Sequence, residues 1–370
     1  MAHGILVDDI GSFPLLEARR EDFLLNYLKS YRFLAETHDV AALLEHKGLK
    51  SCFYDSVVYS FLRKLGSGLD VVNYPQHYSM YDQFLQPISM FPAGREVAPF
   101  LIEEGRAIVP EVLAIQHYVN SVPDMDILNI PEESASKDQI QLKVCVTGPI
   151  EMYIHTELGF TIYGDILKNF SKSVNHFLKN SILNDERIRT SVVAIDEPSI
   201  GFVDLFNTSH EELSEAVNLA LDYLPAEVTT QIHLHTLKEA GIALNAPRLD
   251  VLTCEYASDP MNVISRRELE DHGKKMRVGI CRTNYNAILG KIIELGGRVG
   301  NAFEDQLAMI DAEDVIDANL RRAVAHYGPE NIAYVGPDCG LNSWTPPELA
   351  QALLERTVGV VRAAKNEGLF

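Results

Sequence analysis

Eight short runs of β-branched and apolar residues recur along this chain, separated by longer amphipathic stretches. They are GILVDD (Gly4 to Asp9), LDVVNY (Leu69 to Tyr74), LKVCVTG (Leu142 to Gly148), TSVVAID (Thr190 to Asp196), VTTQIHLH (Val228 to His235), LDVLTCE (Leu249 to Glu255), MRVGIC (Met276 to Cys281) and IAYVGPD (Ile332 to Asp338). Each has the length and residue types of a buried strand. Between them, YGDILKNFSKSVNHFLKNSI places apolar residues mostly three or four apart, as a helix requires. AEDVIDANLRRAVAHYG does the same and stops at Gly328, a residue type that commonly ends helices. TPPELAQALLERTVGVVRAAK opens with Thr345 as N-cap, Pro346 at the first helical position and Glu348 completing a capping box. Eight strands alternating with helices predict an α/β chain folded as a (β/α)8 TIM barrel. A doubly wound open sheet is the alternative, but no glycine-rich G-x-G-x-x-G turn supports it.

No linker divides the chain, so residues 1–370 read as a single domain. Two polar stretches fit the alternation poorly and predict excursions near 118–141 (containing NSVPDMDILNIPEESASKDQIQ) and near 295–311 (containing GGRVGNAFEDQ). The composition, 46% hydrophobic and 23% charged, is that of a soluble globular protein. A formal net charge of -20 disfavours phosphate backbones and anionic membrane faces, so neither nucleic acid nor membrane is expected as a partner. No apolar run approaches the roughly 20 residues of a membrane helix, and the start, MAHGILVDDIGSF, lacks the basic region and apolar core of a signal peptide. The five cysteines are odd in number and scattered, which fits a reducing cytoplasm better than a disulfide framework.

In barrels the active site lies at the C-terminal strand ends. There the predicted strands deliver DIGSFP, NYPQHY, TGP, IDEP, HLH, Glu255, GICRTNY and GPDCGL in turn. His233 and His235 stand at i and i+2, so a strand aims both imidazoles to one side. With Glu255 and Cys339 they supply nitrogen, oxygen and sulfur donors of the kind zinc takes. Taken singly, an H-x-H, a strand-end Glu and a lone Cys are each more often ordinary polar or core residues.

In this order, DIGSFP, VTGP, IDEP, the histidine pair, the glutamate after the sixth strand and PDCGL resemble the catalytic barrel of cobalamin-independent methionine synthase. The similarity is to its short single-barrel core type, within the superfamily that also holds uroporphyrinogen decarboxylase and methylcobamide methyltransferases. It runs from about Val7 to Ala364. The resemblance implies a zinc-bearing barrel that methylates the thiol of homocysteine to give methionine.

The family's ligands are His, Cys, Glu and Cys, the first two spaced H-x-C. Carried over, His233, Glu255 and Cys339 match, and His235 falls at the first Cys. In a second framing, H-x-H-x-C, His235 is the family His and Leu237 replaces the Cys. The family holds the acceptor carboxylate near Ile10, Gly11 and Ser12. It holds the ammonium through Asp196 and a glutamate after the second strand, where this chain has Gln76. The family's full-length members have two barrels, use a polyglutamyl folate and carry a His after the seventh strand. Here there is one barrel, and GICRTNY has no His. A methylated corrinoid, free or on a corrinoid protein, is therefore the expected donor. Two alternatives stand beside this reading. One is methyl transfer to another thiol such as coenzyme M, in a pocket lined by Tyr74, Gln76 and His77. The other is a zinc-less accessory or decarboxylase-like barrel.

Overall fold

A computed structural model describes residues 4–94, 98–300 and 302–370. The eight runs form eight strands in the expected order: β1 (Leu6–Val7), β2 (Val72–Asn73), β3 (Ile140–Thr147), β4 (Ile188–Asp196), β5 (Thr229–His233), β6 (Val251–Cys254), β7 (Lys275–Cys281) and β8 (Ile332–Pro337). Every pairing is parallel; from β2 to β8 each strand lies beside its successor, and β8 pairs with β1. The seam between β1 and β2 is closed by a parallel bridge between Asp8 and Val71. Side chains reinforce it where the ladder is short. Asp70 accepts from the Val7 N–H at 2.9 Å, and Asp9 accepts from the Asn73 N–H at 2.9 Å. The result is a single (β/α)8 domain.

Residues facing the barrel interior stack in layers drawn from alternate strands, the packing rule of this architecture. Val71 (just before β2), Val192, Val251 and Tyr334 come from the even strands and form an apolar layer separate from the main core. The next layer comes from the odd strands and is polar: Asp8 (just past β1), Lys143, Gln231 and Arg277, all buried. Arg277 Nε donates to Asp8 at 2.7 Å and Lys143 Nζ donates to Asp8 at 2.9 Å. Lys143 also donates to Gln231 Oε1 at 2.7 Å. Burial alone would raise the Asp8 carboxyl; Arg277 and Lys143 more than offset it and hold it below the ordinary carboxylate range. Beside this layer Lys64 pairs with Asp9 at 2.6 Å.

Three expectations need correction. The C-terminal helix is Pro347–Asn366, so Pro347 takes the first helical position and Pro346 is the cap residue. Thr345 caps nothing, and Glu348 turns outward to Arg63 at 2.6 Å instead of completing a capping box. The first excursion begins later than 118, because Pro110–Ser121 is helical. It is also anchored, for Ser134 donates to the Leu69 carbonyl at 2.6 Å and Ser136 to that of Asp70 at 2.9 Å. The second contains a short helix, Phe303–Leu307, and ends at buried Asp311; Asn301 within it lies outside the described residues.

Removing Asp8 strands two cations in the barrel interior. Asp8→Ala should lower stability by about 3–5 kcal/mol in urea unfolding. A loss within the range of an ordinary surface substitution, about 0.5 kcal/mol, would show that the layer is not electrostatically coupled.

Candidate metal centre and active site

Above the ionic layer a cavity of about 810 Å³ opens at the C-terminal strand ends. Ile10 and Ser12 reach it from β1, Gln76 and His77 from β2, Asp196 from β4, His233 and His235 from β5, and Cys339 from β8. Gly11, at φ +153°, makes the turn that puts Ser12 there, and a Cβ on it would meet Cys145 Sγ at 2.8 Å. Gly340 lets the β8 loop close over this turn, since a Cβ there would collide with Ser12 Oγ.

His233, His235, Glu255 and Cys339 converge, with one donor atom of each lying within 4.8 Å of all the others. His233 Nε2 is 3.5 Å from Cys339 Sγ, and His235 Nε2 is 3.7 Å from it. Glu255 Oε1 is 3.4 Å from His235 Nε2. Glu255 lies against His235 and Cys339 and is not among the residues lining the cavity.

The hydrogen bonds behind His233 fix its tautomer. Thr253 Oγ1 donates to the Ile232 carbonyl at 2.7 Å, which uses its only proton. It must therefore accept from the Leu234 N–H and from His233 Nδ1, both at 3.2 Å. The ring proton is on Nδ1, and the Nε2 lone pair faces the cluster. A partner of this kind behind a ligating imidazole is the usual support of a metal site.

Zinc bonds of roughly 2.0–2.3 Å in a tetrahedron set donors roughly 3.3–3.8 Å apart. The three close distances above fall in that range, so the donor set can hold zinc. The electrostatics agree. Burial, then His235, Arg277 and Lys143, push His233 well below its ordinary value; burial also lowers His235. Burial and Asp338 raise Glu255 to about 7, and burial and Glu255 push the Cys339 thiol up. Without a cation these groups are held towards their neutral forms, and a metal ion reverses the carboxyl and thiol shifts.

Leu237, the ligand position of the second framing, is buried in the apolar core, and its backbone N–H donates to Asn262 Oδ1 at 2.8 Å. The close cluster contains both histidines and not that position. Tyr74, expected in the pocket, is fully buried and gives its hydroxyl to the Cys145 carbonyl at 2.9 Å. Gln76 does line the cavity, with its amide nitrogen donating to Gln83 Oε1 at 2.9 Å. His77 lines it too, bonded through Nδ1 to the Phe13 carbonyl, and burial lowers it to about 3. Asp196 is 4% exposed, and its Oδ1 has no hydrogen-bond partner. Burial raises it to about 7, against the lowering pull of Lys143 and with a further push from Glu151.

Two residues of the site escaped the sequence reading. Asp338, next to Cys339, accepts from Ala257 N–H, Ser258 N–H and Ser258 Oγ at 3.0, 2.7 and 2.6 Å, which staples the loop that follows Glu255. Its place in PDCGL was the available signal. Glu151, two residues past TGP, lines the cavity; nothing in its local pattern marked it. The β7 end contributes no side chain to the cavity lining. Arg282 is turned to Asp311, and Thr283 Oγ1 accepts from the Cys339 N–H at 3.1 Å.

No family model and no curated protein matches the sequence. Solved structures do resemble the fold. A B12-independent methionine synthase from Shewanella sp. W3-18-1, in complex with selenomethionine, superposes with a TM-score of 0.58 at 14% identity over 99% of each chain. A putative vitamin-B12 independent methionine synthase from Listeria monocytogenes gives 0.55 at 13%, over 98% of each chain. A methyltransferase from Methanosarcina mazei gives 0.51 at 13%, over 98% of this chain and 95% of that one. At these identities the likeness establishes the barrel fold over the whole length.

Elemental analysis of protein purified without chelator should find about one zinc per chain. His233→Ala and His235→Ala should each lower zinc affinity by about 10–100-fold. A loss in His235→Ala with affinity unchanged in His233→Ala would restore the second framing.

Proposed function

We propose that this chain is a zinc-dependent methyltransferase that moves a methyl group onto a small thiol, most readily homocysteine, giving methionine. The observation that carries the reading is the convergence of His233, His235, Glu255 and Cys339 at a cavity that Asp196 also lines, beside His233 on the neighbouring strand. The names of the structural neighbours agree in kind with methyl transfer. Zinc in that cluster supplies Lewis acidity, lowering the pKa of a thiol so that its sulfur is nucleophilic at neutral pH.

The chain's own groups do the rest. Thr253 orients His233, and Asp338 holds the loop that carries Glu255. Ile10 and Ser12, set by the turn at Gly11, face the cavity where an acceptor carboxylate is to sit. Asp196 offers a buried, unpartnered oxygen to an acceptor amine. The sulfur attacks the methyl carbon, the bond from that carbon to the donor breaks, and the donor leaves with the electron pair. A folate nitrogen leaving in this way takes up a proton. A corrinoid cobalt leaves without one. The segment GICRTNY at the β7 end has no histidine, and Arg282 there is committed to Asp311, so the donor proposed is a methylated corrinoid, carried free or by a corrinoid protein. The two neighbours named B12-independent make donor choice the point to test.

The test incubates zinc-loaded enzyme with methylcobalamin or a methylated folate, each against homocysteine and coenzyme M. Methionine from methylcobalamin and homocysteine is the expected product. S-methyl coenzyme M as the faster product moves the acceptor assignment, and no methylated thiol with any pair overturns the reading. With homocysteine, Asp196→Asn should raise KM by about tenfold while zinc content holds. An unchanged KM would mean that the acceptor's amine is not bound by Asp196.

A further inference from the structure

Gln76 stands where the resemblance places a glutamate, so that strand end provides no second carboxylate for an amine. Another carboxyl group faces the same cavity. Glu151 lies on the helix Pro149–Ile154, is 1% exposed, and lines the cavity with Asp196, His233 and His235.

The turn after β4 builds its setting. Glu197 accepts from the N–H groups of Ile150 and Glu151 at 2.9 and 2.7 Å and fixes the start of the helix. Ser199 N–H donates to Glu151 Oε2 at 3.1 Å. One turn along, His155 Nε2 lies 3.0 Å from Glu151 Oε1, and its ring stacks on Tyr81 with centroids 3.5 Å apart. The DEPS turn thus presents Asp196 directly and holds Glu151 through its neighbours.

Two carboxyl groups therefore share one wall, and Asp196 Oδ1 is buried with nothing bonded to it. Among the described residues that line the cavity, the Lys and Arg side chains reduce to Arg20, which is exposed. Lys143, beneath Asp196, is committed to Asp8 and Gln231. A buried carboxylate oxygen without a partner, next to a second carboxyl, is costly until a cationic donor arrives.

We propose that Glu151 and Asp196 together form an ammonium subsite for the thiol acceptor, with Glu151 supplying the carboxylate absent at Gln76. The assignment rests on the reading of the acceptor as an amino-acid thiol. It makes Glu151 a specificity residue that selects aminated thiols and takes no part in moving the methyl group. It also defines the substrate class: a short thiol with both a carboxylate and a primary amine, rather than a thiol-sulfonate.

The experiment is calorimetric binding of homocysteine and 4-mercaptobutyrate, which is homocysteine without its amine, to the zinc-loaded full chain. The parent protein should prefer homocysteine by about tenfold or more, and Glu151→Gln should collapse that ratio towards unity. Glu151→Asp, which keeps the charge but draws it back, should give an intermediate ratio; if the Gln variant fails to fold, the Asp variant carries the same comparison. A ratio preserved in the variant overturns the role of Glu151, and a parent protein indifferent to the amine overturns the subsite as a whole. Binding needs no methyl donor. Loss of methyl transfer with amine discrimination intact would therefore sink the functional reading and leave the subsite standing.

Discussion

Asp8 is the residue on which the barrel interior turns. It binds Arg277 and Lys143 at once, in a layer where side chains from β1, β3, β5 and β7 meet. Desolvating three ionised groups is expensive, and their mutual attraction repays it only with good geometry and further hydrogen bonds. Gln231 provides one such bond to Lys143, and the Pro337 carbonyl accepts from Arg277 Nη1 at 2.7 Å. That last contact matters upward as well as inward. Pro337 ends β8 two residues before Cys339, so the ionic layer holds the strand end that delivers a candidate ligand.

The site stacked on this layer has two adjoining parts with different chemistry. One gathers lone pairs from His233, His235, Glu255 and Cys339, with three of the separations between them suited to a tetrahedral ion. The other gathers carboxyl groups at Asp196 and Glu151, with His155 against Glu151 and no Lys or Arg but the exposed Arg20 among the described lining residues. The cavity wall thus joins a place for a soft nucleophile to a place for a positive charge. In the proposed function, a thiol bearing an amine would match both parts, its amine positioning the sulfur at the donor cluster.

Much of this was legible in the sequence, because strand periodicity and strand-end chemistry are local signals. The eight runs and their order needed only side-chain alternation; the histidine pair did not follow from it, because β5 ends at His233 and His235 reaches the cluster from the bend beyond the strand. The interior charges were visible yet unread: Asp8, Lys143 and Arg277 interrupt the apolar runs GILVDD, LKVCVTG and MRVGIC. A charge inside such a run acquires meaning only when its partners, up to 269 residues away, are known. The cap at Thr345 failed because two prolines in a row both satisfy the pattern, and the helix began on the second. Glu151 was invisible for a similar reason. Its role depends on the β4 turn folding back over the helix after β3, a tertiary contact with no trace in its own neighbourhood.

The central claim is that His233 and His235 both belong to a mixed nitrogen, oxygen and sulfur metal shell. X-ray absorption at the zinc edge of the zinc-loaded chain, with no thiol added, tests it most directly. The account predicts a four-coordinate first shell with about two imidazole nitrogens, one carboxylate oxygen and one sulfur. A shell with a single imidazole, or one without sulfur, would contradict it.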